Sequence, residues 1–266
     1  MEPTFIDTHT HLNLKRLTKD IDQHILNCES KNIIKLIVPG IDIPSSLVAL
    51  QLADKYPNQI KSAVGIHPEE VLKPDFSLQL INQIELMLEN PHVVAIGEVG
   101  LDYYYAKTTP QRRLQQELLI KQIKLAQKFN KTIIIHNRES SEDLIQIVKS
   151  IISSKFTNKI VFHCCESNLE LLDLAIKHHI FIGVDGDITY DSNKQSFVRQ
   201  VPLDLIVLET DSPFLLPEPL RSTKDYPNVP ANLPLIAQAV AKIKKFSVEQ
   251  IAHQTTQNAK LLFNLD

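Results

Sequence analysis

Six residues of this 266-residue chain carry side chains suited to one kind of chemistry and occupy one kind of position. His9 and His11 stand two apart in "FIDTHTHL", Glu98 closes "AIGE", His136 closes "TIIIH", His163 closes "IVFH" and Asp211 closes "VLETD". Each ends an apolar run. A lone strand-end histidine is ordinarily a hydrogen-bonded structural residue, and an acid after a strand commonly caps the next helix. Four imidazoles and two carboxylates at the same end of five strands ask for more. Buried without a cation, their desolvation would go largely uncompensated. The donors are nitrogen and oxygen with no thiolate, which suits Zn²⁺, Mn²⁺, Fe²⁺, Co²⁺ or, through the carboxylates, Mg²⁺. Six ligands exceed the three or four usual for one catalytic ion, so two divalent ions with a carboxylate between them are expected, an arrangement that fits hydrolysis.

The elements that must position these groups read clearly. Short apolar, β-branched runs recur as "TFIDTH", "IIKLIVPG", "IKSAVGIH", "VVAIGEVG", "TIIIH", "KIVFHC", "IFIGVD" and "LIVLETD", their starts 21 to 39 residues apart. That spacing is close to one β-loop-α unit, and near-continuous apolar strands suit a parallel sheet covered by helices. Between strands, Leu114, Leu118, Leu119, Ile123 and Ala126 keep a helical spacing after an expected cap at Thr109-Pro110. Ser247 and Gln250 form a capping box for the last helix. Eight such units with no Gly/Ser linker predict a single α/β domain over 1–266, a TIM (β/α)8 barrel. An open dinucleotide-binding sheet is disfavoured: no glycine-rich phosphate loop follows the first strand, and the chain has only six glycines. The stretch from Asp211 to Ala231, with five prolines, is expected as a long ordered loop at the barrel mouth. Strand alternation puts Asp7, His9 and His11 on one face, looking into that mouth.

Composition bounds the setting. Three cysteines, Cys28 and the adjacent Cys164 and Cys165, argue against a disulfide framework and for a reducing compartment, so a cytoplasmic location is expected. The Met1-Glu2-Pro3 start has no secretory pattern, and no uncharged apolar run approaches membrane-spanning length. A net charge of −3 is too small to attract nucleic acid in bulk, so a phosphate substrate must be held locally. No obligate protein partner is implied.

"FIDTHTHL", "GIHP", "IGEVGLDYYY", "IIIHNR", "VFHC" and "ETDSPFLLP" resemble, in order and spacing, the signature segments of the TatD family of metal-dependent deoxyribonucleases, within the amidohydrolase-like TIM barrels. The resemblance runs from residue 5 to about residue 217. It implies a two-metal site (Mg, Mn or Zn): His9, His11, Glu98 and Asp211 on one ion, and Glu98, His136 and His163 on the other, with Glu98 as bridge. Asp7 would be a partner of His9 rather than a ligand. The implied reaction is hydrolysis of DNA phosphodiesters, single-stranded and from the 3′ end, with Asp211 taking the proton of the attacking water. Arg138 and His67 are expected to contact the substrate, and Tyr103, Tyr104 and Tyr105 to stack bases. Glu69, Cys165 and Glu166 depart from the family pattern, and an acid at the mouth would repel phosphate. The same centre would also serve an ester, lactone or amide, D-aminoacyl-tRNA included. A barrel kept only as a binding scaffold would usually have lost one of the six ligands.

Overall fold

The computed structural model describes residues 3–152 and 156–266. Its strands are β1 (Phe5–Asp7), β2 (Ile33–Pro39), β3 (Ile60–Val64), β4 (Val93–Asp102), β5 (Thr132–Arg138), β6 (Ile160–Phe162), β7 (Phe181–Val184) and β8 (Ile206–Leu208). They pair in parallel, in chain order. The seam between β8 and β1 is closed by Thr8 N–H donating to the Leu208 carbonyl at 3.0 Å and by a bridge between Thr10 and Ser212. The result is a nearly closed TIM barrel. The helices are α1 (Ile21–Glu29), α2 (Ile43–Lys55), α3 (Ile81–Met87), α4 (Thr109–Lys128), α5 (Ser141–Ile151), α6 (Leu169–His178), α7 (Ser192–Gln200), α8 (Leu220–Thr223), α9 (Leu233–Lys244) and α10 (Val248–Phe263).

Two apolar clusters explain why the strands are apolar on both faces. Ile6, Ile37, Ala63, Ala95, Ile134, Val161, Phe181 and Val207, one from each strand, fill the barrel interior, and Ala259, Leu262 and Phe263 of α10 close its floor. Outward-facing residues such as Leu36, Val38, Ile96, Ile133 and Phe162 pack under the helices. With the floor sealed, polar side chains can gather at the opposite end of the barrel, where the strands finish.

Local chemistry sets the element boundaries. The cap of α4 is Thr108 rather than Thr109: its extended backbone lets the hydroxyl accept from Gln111 N–H, while the Gln111 side chain reaches back. Ser247 and Gln250 cap α10 as the sequence predicts. The proline-rich stretch after β8 is ordered. It includes the single turn α8, and Asn228 Nδ2 ties it down by donating to the Thr210 carbonyl at 2.9 Å.

One irregularity matters for the site. Ile96 pairs with Ile133 but Val99 pairs with Ile135, so β4 carries one more residue than β5 across this step. Ala95 faces the interior and Ile96 the helices. By strict alternation Glu98 would face the helices too. The extra residue turns it inward.

Candidate metal centre

All six sequence-predicted ligands meet at the C-terminal mouth. His9 Nε2 and His11 Nε2 are 3.1 Å apart. Glu98 Oε2 lies 3.3 Å from His9 Nε2 and 3.5 Å from His11 Nε2. Asp211 Oδ1 lies 3.4 Å from His11 Nε2 and 3.8 Å from His9 Nε2. Ligand atoms about 2.0–2.1 Å from a tetrahedral ion are about 3.3–3.4 Å from one another, so these five separations are those of a coordination cage. The other carboxylate oxygen of the same residue serves a second group. Glu98 Oε1 is 3.0 Å from His136 Nδ1, 3.6 Å from His67 Nε2 and 3.7 Å from His163 Nε2. His163 Nε2 also lies 3.9 Å from Asp211 Oδ1 and its ring stacks on that of His9 at 3.5 Å, so the two groups adjoin, with Glu98 between them.

His9 and His11 arrive by a different route from the expected one. Strand β1 stops at Asp7, and Ile6 is its interior residue, so alternation along a strand does not carry the two histidines to the mouth. The chain bends at Thr8, and the segment beyond is laced to the one after β8 by Asp211 N–H donating to the His9 carbonyl (2.9 Å) and His11 N–H to the Ser212 carbonyl (2.8 Å). Asp7 serves this seam rather than the imidazole. Its carboxylate accepts from His9 N–H (3.2 Å), Thr210 N–H (3.0 Å) and Thr210 Oγ1 (2.6 Å), while His9 Nδ1 has no protein partner. Burial outweighs those hydrogen bonds and pushes the Asp7 carboxyl up to about 8.

Two functional carboxylates are absent from the sequence reading. Glu209 Oε1 accepts from His163 Nδ1 at 3.0 Å and from Cys164 N–H at 2.6 Å. Asp102 Oδ2 lies 3.1 Å from His136 Nε2. Each orients an imidazole and fixes which nitrogen faces the cluster, Nε2 for His163 and Nδ1 for His136. Glu209 had a signal, standing two beyond interior-facing Val207 of β8. Asp102 had none, because its direction depends on the extra residue in β4.

The charge balance also fits cations. Burial alone would raise all of Glu98, Asp102, Glu209 and Asp211, yet each is held below the ordinary carboxylate range by the histidines around it. Burial likewise opposes a charge on His163, but Glu209 and Glu98 overcome it and push the ring up to about 10. A concentration of buried negative charge that forces protons onto imidazoles is one that divalent ions would satisfy.

The expected substrate contacts separate. His67 joins the Glu98–His136 group, its ring 4.6 Å from that of His136. Arg138 lies along the rim, its guanidinium 3.9 Å from the Tyr104 ring centre. Tyr103 is turned inward, 6% exposed, with its hydroxyl donating to Asp143 at 2.6 Å, so it offers no open ring face. Tyr104 and Tyr105 are exposed, the Tyr104 ring with the Arg138 guanidinium over it. Glu166 is not a free acid at the mouth: it accepts from Asn137 Nδ2 (2.7 Å), Glu139 N–H (2.8 Å) and Ser141 Oγ (2.9 Å). Cys164 and Cys165 are unpaired thiols that burial keeps protonated.

A parallel eight-stranded barrel with imidazoles and carboxylates converging at its C-terminal mouth is the architecture of metal-dependent hydrolases. Residues 6–264 match the TatD related DNase family, and the chain belongs to that family as a metal-dependent hydrolase. It is similar to the metal-dependent hydrolase YabD of Bacillus subtilis, 32% identical over 98% of this chain and 99% of that one. It is 29% identical to the human deoxyribonuclease TATDN3, over 97% of this chain and 94% of that protein. The crystal structure of YjjV, a TatD homologue of Escherichia coli, superposes with a TM-score of 0.87 at 27% identity, covering 98% of each chain. Among the described residues no helix is long and apolar enough to cross a membrane.

Proposed function

We propose that the chain hydrolyses DNA phosphodiesters with two divalent cations, Mg²⁺, Mn²⁺ or Zn²⁺, bridged by Glu98, and trims single strands from the 3′ end. The observation that carries this reading is the division of Glu98, with Oε2 among His9, His11 and Asp211 and Oε1 among His136, His163 and His67. When bound, such ions lower the pKa of a water and neutralise charge on phosphoryl oxygens. The residues supply the rest. Asp211 is 9% exposed against 4% for Glu98, so it is the acid that a substrate-side water reaches, and it takes the proton. Asp102 and Glu209 hold His136 and His163 in register.

The cleft, about 680 Å³ and lined by His11, His67, Arg138 and Phe214 among others, suits one flexible strand. Tyr104, Tyr105 and Phe214, each between 43% and 46% exposed, offer rings to unpaired bases, and Arg138 offers a guanidinium to the backbone. The TATDN3 name, deoxyribonuclease, supports DNA as the substrate. The test is degradation of labelled single-stranded DNA by wild type and Glu98→Ala, with bound metal measured on both. Joint loss of metal and activity is expected. Turnover of esters or lactones alone, with DNA and a nitrophenyl phosphodiester untouched, would remove the nuclease reading.

A further inference from the structure

The cleft wall also holds a polar group that the metal centre does not use. Asp187 and Lys194 both line the cleft. Asp185 Oδ1 accepts the Asp187 N–H at 2.9 Å, starting the short turn Gly186–Thr189 after β7. Lys194, on α7, is 5% exposed; its ammonium donates to the Cys165 carbonyl at 2.6 Å and lies 3.2 Å from Asp187 Oδ2. The two remaining oxygens, Asp185 Oδ2 and Asp187 Oδ1, are buried and receive no protein donor. Carboxylate oxygens of the two acids and the Cys164 sulfur all lie within 4.8 Å of one another. Two buried carboxylates at that distance cannot both ionise cheaply, and one shared proton resolves the conflict. A divalent cation is the other resolution, but the Lys194 ammonium already stands on Asp187 and would repel it.

We propose that Asp187 is the general acid of the reaction, its carboxyl giving a proton to the leaving oxygen. This rests on the hydrolase reading above. As water attacks phosphorus, one of its protons goes to Asp211. The bond from phosphorus to the leaving oxygen breaks with its electron pair on that oxygen, which takes the Asp187 proton. The new Asp187 carboxylate is held by Lys194; Asp211 then returns its proton to solvent and Asp187 regains one, so one water is consumed per bond cut. The Asp187 side chain lines the cleft, and with Oδ1 buried its 16% exposure lies on its other atoms, so Oδ2 is the oxygen that meets substrate. Burial first, and then the Asp185 charge, push its carboxyl up to about 8, which keeps the proton in place at neutral pH. The groups facing it are Asp185 on its own turn, Lys194 from α7, the Cys164 thiol after β6 and the Tyr190 phenol, over which the Arg221 guanidinium lies at 4.2 Å.

A leaving-group comparison tests this. An oligonucleotide expels an alkoxide, which needs a proton, whereas bis(p-nitrophenyl) phosphate expels a nitrophenolate, which does not. Asp187→Asn is expected to slow oligonucleotide turnover by about 100-fold or more while slowing the nitrophenyl diester less than about threefold, with metal content unchanged. Equal loss on both substrates, or on neither, overturns the assignment, as does loss of one equivalent of bound Mn²⁺. Asp185→Asn keeps the acid but removes its like-charged neighbour, so the alkaline fall of kcat/KM should move to lower pH; an unmoved limb also overturns the assignment. A wild-type protein that cuts the nitrophenyl diester but no oligonucleotide sinks the DNA reading instead, and an alkyl–aryl ester pair then tests Asp187 in the same way.

Discussion

Replacing Glu209 by alanine should disable the His163 arm of the centre while leaving the barrel folded. The Glu209 carboxylate is 1% exposed and satisfies a buried donor, His163 Nδ1 at 3.0 Å, and a part-buried one, Cys164 N–H at 2.6 Å. Its third contact, Thr8 Oγ1 at 3.4 Å, has the Leu208 carbonyl as a second partner, so it is not stranded. A stranded buried donor costs about 1–3 kcal/mol and a part-buried one less, so the pair costs up to about 6 kcal/mol. Relief from burying a carboxylate offsets part of this, which favours the lower end, about 2–3 kcal/mol. Loss of a carboxylate that orients a ligating histidine weakens metal binding about 10–100-fold, or about 1.4–2.7 kcal/mol. Glu209→Gln keeps an oxygen for His163 and should lose less than about tenfold. Calorimetric Mn²⁺ titration of the three proteins, with urea unfolding of each in EDTA, measures both quantities. A folded Glu209→Ala protein that binds metal like wild type would refute the role assigned to Glu209.

Three further outcomes follow from the packing and the rim. A Cβ at Gly183 would sit 2.4 Å from Glu209 Oε1, so Gly183→Ala should displace the carboxylate and weaken Mn²⁺ binding in the same direction as Glu209→Ala, read by the same titration. Phe263 is 2% exposed in the barrel floor, and Phe263→Ala should cost about 3–5 kcal/mol in urea unfolding with metal stoichiometry unchanged. Arg138→Ala should raise KM for single-stranded DNA with kcat nearly unchanged, and lower the slope of log affinity against log salt by about one, as measured across a salt series.

The barrel is legible because each strand is a short apolar run and each helix has a stripe or a cap, and these local patterns all point to one fold. Three mouth residues follow directly: His136, His163 and Glu209 each stand two beyond interior-facing Ile134, Val161 and Val207. The rest required geometry that no period supplies. Glu98 faces inward because β4 gains a residue over β5, and Asp102 reaches His136 from the far side of the same irregularity. His9 and His11 lie past the end of β1, where hydrogen bonds to the β8 side decide direction. Tyr103 and Tyr104 are neighbours in sequence, yet one is buried with its hydroxyl on Asp143 while the other is exposed at the rim beneath the Arg138 guanidinium. That difference comes from tertiary contacts alone.

Anomalous difference maps from crystals soaked in Mn²⁺ measure directly whether the Glu98 carboxylate stands between two cations. Two peaks about 3.5–4 Å apart are expected, one beside Glu98 Oε2 among His9, His11 and Asp211 and one beside Oε1 among His136 and His163. A single peak, or peaks that leave Glu98 out of either coordination sphere, would contradict the bridging role of Glu98.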